Sequence, residues 1–253
     1  MVRPDAISDP RVRSVLDRMN AENIASFEKV NSRAMAADTW SSDPFDFAEC
    51  PLSISTELGE LLYLLTRATR ATRAVDFATS VGTSLIYLAA AIRDNGGGIV
   101  IGSELVPAKV EIARKNVAEA GLSPFVEIRT GDARSTLADV GGPVDIAVID
   151  GFQASDQGWS PAGGSSLALE VLRLLTPQLR PGAMLINDNA EPDYLEHVRT
   201  PANGFHSTWI PLMPQLSEAD RRKVGALMQA LPADSPLRAL MPTVPGAELS
   251  VRD

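Results

Sequence analysis

The sequence predicts an α/β protein with a doubly wound, Rossmann-like fold: a mostly parallel seven-stranded sheet, helices on both faces and an N-terminal helical extension. From Ala74 onward, short apolar runs alternate with amphipathic stretches, which is typical of parallel strands buried on both faces. Several of these runs end in acidic or small polar residues just before the next helix. In open sheets of this kind, ligands bind beyond the carboxyl ends of the strands, so the same pattern predicts a ligand site.

The apolar runs give the order of the elements. Five strands are predicted at 74–78, 99–102, 125–128, 144–149 and 183–186, and two closing strands at 205–211 and 247–251. Helices are predicted at 9–36, 55–68, 84–93, 107–119, 133–138, 166–175 and 192–199, with another at 218–230 inside a Pro- and Met-rich insertion. We expect one domain over 1–253, with a helical cap (1–70), a cofactor- and metal-binding core (71–199) and closing strands around the inserted helix (200–253).

Composition narrows the class of protein. The chain has 253 residues, a formal net charge of −9 and a sequence pI of about 4.8, so its surface should repel the phosphate backbone of nucleic acids. The acidity could equally serve solubility alone. One cysteine, a polar N-terminal stretch and the lack of an apolar run near the ~18 residues of a membrane span predict a cytoplasmic protein without a membrane partner.

The first motif lies where the first strand should meet its helix. Asp76 stands within the strand, Ala78 and Gly82 belong to a turn of small residues, and Ser84 falls in the first helical turn. Small residues let a ligand approach the backbone, and the helix start offers free N–H groups to a carboxylate. An ordinary strand–helix turn would show a similar pattern, so this motif alone leaves function open.

Two further strand ends suggest an adenosine site. Glu104 ends the second strand, where an acid can accept both ribose hydroxyls, although it could also be a solvated carboxylate. After the third strand, Asp132 could accept from an adenine amino group and the Ala133 N–H could donate to the ring, while Asp132 could also cap the following helix. The turn lacks the G-x-G-x-x-G pattern of dinucleotide sites, which favours adenosine without a pyrophosphate.

Oxygen ligands follow the fourth and fifth strands. Asp150 ends the fourth, and Asp188 with Asn189 ends the fifth. Adjacent parallel strands lie about 4.8 Å apart, so these three side chains should surround one point. Carboxylate and amide oxygens suit Mg²⁺, although polar strand ends are common in α/β folds whether or not they bind metal.

Together these motifs, over about 54–199, resemble the catechol and caffeoyl-CoA type O-methyltransferases, a metal-dependent branch of the class I S-adenosylmethionine-dependent methyltransferases. The resemblance matches Asp76 to the family's acid, Gly82 to its second glycine and Ser84 to its methionine-carboxylate serine, with Ala78 where glycine is usual. It implies S-adenosylmethionine and Mg²⁺, or another divalent cation, as cofactors and a small catechol-like or phenolic acceptor. The remaining implied cofactor residues are Glu104, Asp132, Ala133, Asp150 and Phe152, and the implied metal ligands are Asp150, Asp188 and Asn189.

One position departs from the family pattern. Asp150 and Gln153 are the candidate catalytic residues, but Gln153 stands where the family usually has a lysine general base, and an amide cannot take up that proton. The metal alone could make the acceptor acidic enough, or another base such as Asp156 could serve. A metal-independent O- or N-methyltransferase and a non-catalytic cofactor-binding module therefore stay open as alternatives.

Two further features, a set of aromatic residues and an insertion near the C-terminus, each allow two interpretations. Four aromatic residues could wall an acceptor pocket or could anchor loops: Trp40, Phe45, Phe47 and Trp159. The insertion between Pro211 and Gly246 could recognise the substrate or form a homodimer contact.

Overall fold

A computed structural model describes residues 6–36, 43–151, 164–188, 190–212, 222 and 246–253. Its strands are β1 (Arg73–Phe77), β2 (Ile99–Glu104), β3 (Val126–Thr130), β4 (Val144–Ile149), β5 (Leu179–Asn187), β6 (Phe205–Pro211) and β7 (Gly246–Arg252). Its α-helices in the described ranges are α1 (Pro10–Ala36), α2 (Thr56–Ala68), α3 (Thr83–Asp94), α4 (Pro107–Glu119), α5 (Ala133–Thr136), α6 (Leu167–Leu175) and α7 (Pro192–Val198).

The strands form one seven-stranded sheet in the order β3-β2-β1-β4-β5-β7-β6. β1 to β5 are parallel, whereas β7 is antiparallel to both β5 and β6. The chain first adds strands on one side of β1 and then returns to add β4 on the other side, so the strand order reverses between β1 and β4. That reversal opens a crevice at the carboxyl ends of the strands, where α/β folds place their ligands.

Helices cover both faces of the sheet, and the alternation of side chains along the strands explains why. Ala74, Val100 and Ile146 point into one apolar core with α1, α2, α3 and α4, while their strand neighbours Val75 and Ala147 point into a second core with α5, α6 and α7. Apolar residues on both sides of each strand therefore produce the doubly wound fold that the sequence predicts, and this prediction is confirmed.

Helices α2 and α3 pack unusually close together beside the carboxyl end of β1. A Cβ added at Gly59 of α2 would overlap the ring of Tyr87 in α3, so only glycine fits there. The N-terminus of α2 is fixed by Ser55, whose hydroxyl accepts a hydrogen bond from the Leu58 N–H at 3.2 Å. The close packing places the residues before α2 next to the start of α3.

The predicted boundaries hold for β4, β6 and α4 and shift slightly elsewhere, with two differences of substance. β5 begins at Leu179, earlier than predicted, because Leu179 already pairs with Val144 of β4. The start of β5 was missed because it includes Pro181 and Gly182 and does not read as an apolar run. Ile24 stands at helical spacing from the buried Val12, Val15 and Met19, which predicts an inward position, but it is 41% exposed. The helix predicted at 218–230 lies outside the described residues except for position 222. Within the described part of the chain, no helix is both long and apolar enough to cross a membrane.

Candidate cofactor and metal site

The turn between β1 and α3 contains three residues in the left-handed conformation, and only one of them is a glycine. Ala78 has a φ of +63°, Ser80 of +50° and Gly82 of +94°. Left-handed conformations cost a residue with a Cβ about 1 kcal/mol or more, so the surrounding structure must hold the turn in place. The Ser80 hydroxyl donates to the Pro51 carbonyl and the Thr79 N–H donates to the Ser103 carbonyl at 3.1 Å. These contacts fix the turn against β2 and the segment before α2.

The start of α3 faces the same crevice. Gly82 is its N-cap and supplies no side-chain hydrogen bond, so the first N–H groups of the helix are not capped by a side chain. Ser84 lies in this first turn, is mostly buried, and lines a small cleft together with Ser53 and Thr83. Unpaired N–H groups and hydroxyls at a helix N-terminus can bind a carboxylate.

Asp76 lies underneath the turn and is completely buried. Within the described part of the chain, neither carboxyl oxygen has a hydrogen-bond partner, although the hydroxyls of Ser84 and Thr79 are close enough to moderate the effect of burial on the charge. Burial raises the pKa of Asp76 to about 7, and the nearby carboxylates of Asp150 and Glu104 raise it further. Asp76 therefore does not line the cavity. It lies behind the cavity wall, beneath the turn and close to the hydroxyl of Ser84.

Glu104 joins the ends of β1 and β2. One carboxylate oxygen accepts from the Ser80 N–H and the other from the Val106 N–H, both at 2.8 Å. Each oxygen keeps further acceptor capacity, and the side chain, 7% exposed, lines the cavity described below. The acid is therefore rigidly oriented and can accept hydrogen bonds from a diol without moving.

The residues after β3 complete this edge. The Gly131 N–H donates to the Glu104 carbonyl at 2.9 Å, and Asp132 caps α5 by accepting from the Arg134 N–H at 2.8 Å. Arg134 also forms ion pairs with Asp132 and Glu170. The helix-capping reading of Asp132 is thus present in the structure, and since Asp132 and Ala133 also line the cavity, a ligand contact is compatible with it.

A cavity of about 240 Å³ lies between these strand ends. Of the residues assigned to the cofactor from the sequence, it is lined by Ala78, Glu104, Asp132, Ala133 and Asp150. The other lining residues were not assigned to the cofactor from the sequence, although Ser80 and Gly131 belong to the motifs; they are Asp43, Pro44, Leu52, Phe77, Ser80, Ser103, Leu105, Val106, Lys109, Gly131, Arg134, Gly151 and Leu167. Asp43, Pro44 and Leu52 reach the cavity only because the segment before α2 folds across it, and no local pattern in that segment indicates a binding role.

Asp150 and Asp188 end neighbouring strands in matching positions. Val148 pairs with Ile186, and each aspartate lies two residues further on. Asp188 keeps part of its surface exposed, yet burial raises its pKa well above the usual range and the charge of Asp150 raises it further. Two carboxylates that disfavour each other's charge are what a divalent cation would stabilise, so these residues fit a metal.

The described residues contain no group of three or more His, Cys, Asp and Glu side chains arranged to hold a metal. The predicted metal site therefore rests on this carboxylate pair and on Asn189, which lies outside the described residues. Phe152, Gln153, Asp156, Trp40 and Trp159 also lie outside them. Of the remaining aromatic candidates, Phe47 is buried beside Cys50, as an anchor would be, and Phe45 is 53% exposed.

The strand order and the reversal beside β1 are consistent with a Rossmann-like methyltransferase fold, and sequence comparison supports this. Residues 77–190 match a family model described as a methyltransferase domain. The chain is 37% identical over 107 residues to a catechol O-methyltransferase of Mycobacterium tuberculosis. This match covers 42% of this chain and 48% of that protein. The resemblance to the O-methyltransferases is thus confirmed over this part of the chain, while the chain spans about half the length of the curated relatives it matches.

Solved structures extend the likeness in fold to most of the chain. The cofactor-bound protein Rv0187 from MTB is 25% identical to this chain and has a TM-score of 0.58. The match covers 87% of this chain and 88% of Rv0187. An O-methyltransferase from Bacillus cereus in complex with SAH has a TM-score of 0.58 at 18% identity and covers 95% of this chain and 91% of its own. Both comparisons support a shared fold over most of the chain.

Proposed function

We propose that this chain is an S-adenosylmethionine-dependent O-methyltransferase that acts on a small hydroxylated acceptor with the help of a divalent cation. The observation that carries the proposal is the cavity at the reversal point of the sheet, with Glu104 fixed beside the turn at one side and Asp150 at the other. The name of the matched relative, catechol O-methyltransferase, supports the choice of reaction and of acceptor class.

The roles within the cofactor site follow from its geometry. Ser84 and the uncapped N–H groups of α3 would bind the carboxylate of the cofactor's methionine part. Glu104 would accept from the ribose hydroxyls, and Asp132 with Ala133 would border the adenine. S-adenosylmethionine would supply the methyl group; the chain's own part is to hold that group near Asp150 at a fixed distance and angle from the acceptor.

The roles at the acceptor side follow from the carboxylate pair. Asp150 and Asp188, with Asn189 as a third ligand, would hold the divalent cation. Such a cation lowers the pKa of a bound hydroxyl, which is the chemistry that the family lysine would otherwise assist. The apolar wall formed by Leu167 and Phe77 would exclude water from the reacting oxygen.

A second candidate is methyl transfer without a metal. It is favoured by Gln153 in place of the family lysine and by the presence of only two acidic ligands in the described metal position. In that case Asp150 and Asp188 would contact the acceptor directly. A homodimer, a cytoplasmic location, the single-domain division and the absence of a nucleic-acid partner stay predictions from the sequence.

The deciding experiment measures transfer of a labelled methyl group from S-adenosylmethionine to catechol, with Mg²⁺ and with EDTA. We expect turnover that EDTA abolishes and that Asp188→Asn lowers by at least about a hundredfold, because the metal supplies several kcal/mol of charge stabilisation. Asp17→Asn, which removes an exposed carboxylate from α1, is the matched control and should leave turnover unchanged. Turnover that ignores both EDTA and Asp188→Asn would establish the metal-free candidate, and tight cofactor binding without turnover on any phenol would reject catalysis.

A further inference from the structure

Lys109 is a buried lysine in the wall of the cofactor cavity. It belongs to the first turn of α4, two residues after Pro107, and only 4% of it is exposed. Its neighbour Val106 donates its N–H to Glu104, so the start of α4 and the ribose-binding acid form one rigid unit. Lys115, on the same helix, is exposed, as lysines usually are.

The ammonium group of Lys109 has no partner in the described part of the chain. It makes no hydrogen bond and no ion pair there, although Glu104 is near enough to stabilise its charge. Burial lowers the pKa of Lys109, and the charge of Glu104 opposes that effect only in part. Lys109 lines the cavity, and its ammonium is not one of the fully buried polar atoms without a partner. A largely desolvated cation that has no protein partner there points to a cavity ligand that accepts from it.

The surroundings restrict the kind of ligand group. The cavity wall carries four carboxylates (Asp43, Glu104, Asp132 and Asp150) against two cations, Lys109 and Arg134, so its net charge is negative and disfavours a phosphate or another anion. A hydroxyl group suits the position better, because it can donate to the Glu104 carboxylate and at the same time accept from an ammonium. A vicinal diol placed between the two side chains would satisfy both.

We propose that Lys109 is a cofactor-binding residue that donates a hydrogen bond to a ribose hydroxyl of the cofactor while Glu104 accepts from the same diol. The inference rests on the proposed function, because it assumes that an adenosine group fills the cavity. It adds a donor to the ribose position, where sequence reasoning found only the acceptor Glu104, and it gives the ammonium a partner that the described part of the chain does not supply.

The test compares the wild-type protein with Lys109→Met and with the matched control Lys115→Met. Methionine keeps the length and the apolar stem of the side chain and removes only its charge and its donors. Calorimetry with S-adenosylhomocysteine should show binding about 10- to 100-fold weaker for K109M, the range expected for losing a hydrogen bond from a charged donor, and unchanged binding for K115M. In the absence of ligand, K109M should have a Tm equal to or above that of the wild type.

Deoxy analogues identify the group that is bound. When the adenosine of S-adenosylhomocysteine is replaced by 2′-deoxyadenosine or 3′-deoxyadenosine, the affinity should fall more for the wild type than for K109M. The variant no longer has the donor that would bind the missing hydroxyl. Equal losses in both proteins, or equal affinity of both for S-adenosylhomocysteine, would overturn the role of Lys109 and leave the proposed function intact. A lowered Tm of ligand-free K109M would show that Lys109 is structural. Failure of the wild type to bind S-adenosylhomocysteine would reject the proposed function itself.

Discussion

Replacing Asp76 with asparagine should stabilise the ligand-free fold, and the gain should grow as the pH rises. The carboxyl is completely buried and its oxygens have no hydrogen-bond partner among the residues that the structure describes, so its ionised form is strongly disfavoured in the folded state. Burial raises the pKa of Asp76 from 3.8 to about 7. Each unit of difference between folded and unfolded protein corresponds to about 1.4 kcal/mol, so the full effect is about 4 kcal/mol.

The sign follows from proton binding. Between the unfolded and the folded pKa, the folded protein holds a proton that the unfolded chain has lost, so stability falls as the pH rises through this window. From about pH 5 to about pH 8, the wild type should lose about 2 to 3 kcal/mol relative to Asp76→Asn. Guanidinium unfolding of both proteins across this range, analysed as the difference in free energy of unfolding, measures the effect directly.

Asp145 is a matched control with the opposite electrostatics. Although burial opposes it, Arg180 and the backbone N–H groups of Thr72 and Arg73 hold the pKa of Asp145 below its usual range. Its stabilisation is present above the unfolded pKa and is lost only as the pH falls through the lower folded pKa. Asp145→Asn should therefore be destabilised by an amount that stays constant from about pH 5 to about pH 8. A constant difference for Asp76→Asn as well would refute the account of Asp76 as a buried, unsatisfied acid.

Three further substitutions test how the site is held in place. Gly59→Ala should destabilise the fold by about 1 to 3 kcal/mol, because the added methyl group overlaps the ring of Tyr87; an unchanged midpoint of guanidinium unfolding would contradict the close packing of α2 on α3. Ala78→Gly should stabilise it by about 0.5 to 1 kcal/mol, because glycine adopts the φ of +63° without strain; a lower Tm would show that the Ala78 methyl contributes more by packing than it costs by strain. Ser55→Ala should destabilise it by about 1 kcal/mol through loss of the N-cap bond to Leu58, whereas Ser55→Thr, which keeps the hydroxyl, should restore most of the stability.

The parallel core could be predicted because its physical cause lies in the local sequence of each strand and helix. A strand buried on both faces is apolar at most positions, so β1 and β4 read as apolar runs interrupted only by Asp76 and Asp145, and the helices between them read as amphipathic. The strand-end acids could be placed for the same reason, since parallel strands bring their carboxyl ends to one edge. Glu104 and Asp150 accordingly line the same cavity, as the prediction of one site requires.

The remaining parts of the site depend on contacts between segments that are distant in sequence. Leu52 and Asp43 line the cavity because their segment crosses the turn after β1, which no periodicity encodes. Lys109 reads as a surface lysine of an amphipathic helix, and its burial arises only from the way α4 meets the ends of β2 and β3. The first part of β5 was missed because its Pro181 and Gly182 are residues that usually end strands.

We propose that the cavity beside β1 binds S-adenosylmethionine, and calorimetric titration of the ligand-free protein with S-adenosylhomocysteine is the decisive experiment. We expect one site per chain, with an affinity that falls steeply in Glu104→Gln, because the oriented carboxylate that would accept from the ribose is lost. The Glu111→Gln variant, which changes an exposed acid on α4, should bind like the wild type. Absence of binding heat and of any thermal shift in the wild type, or equal affinity of the wild type and Glu104→Gln, would contradict the account.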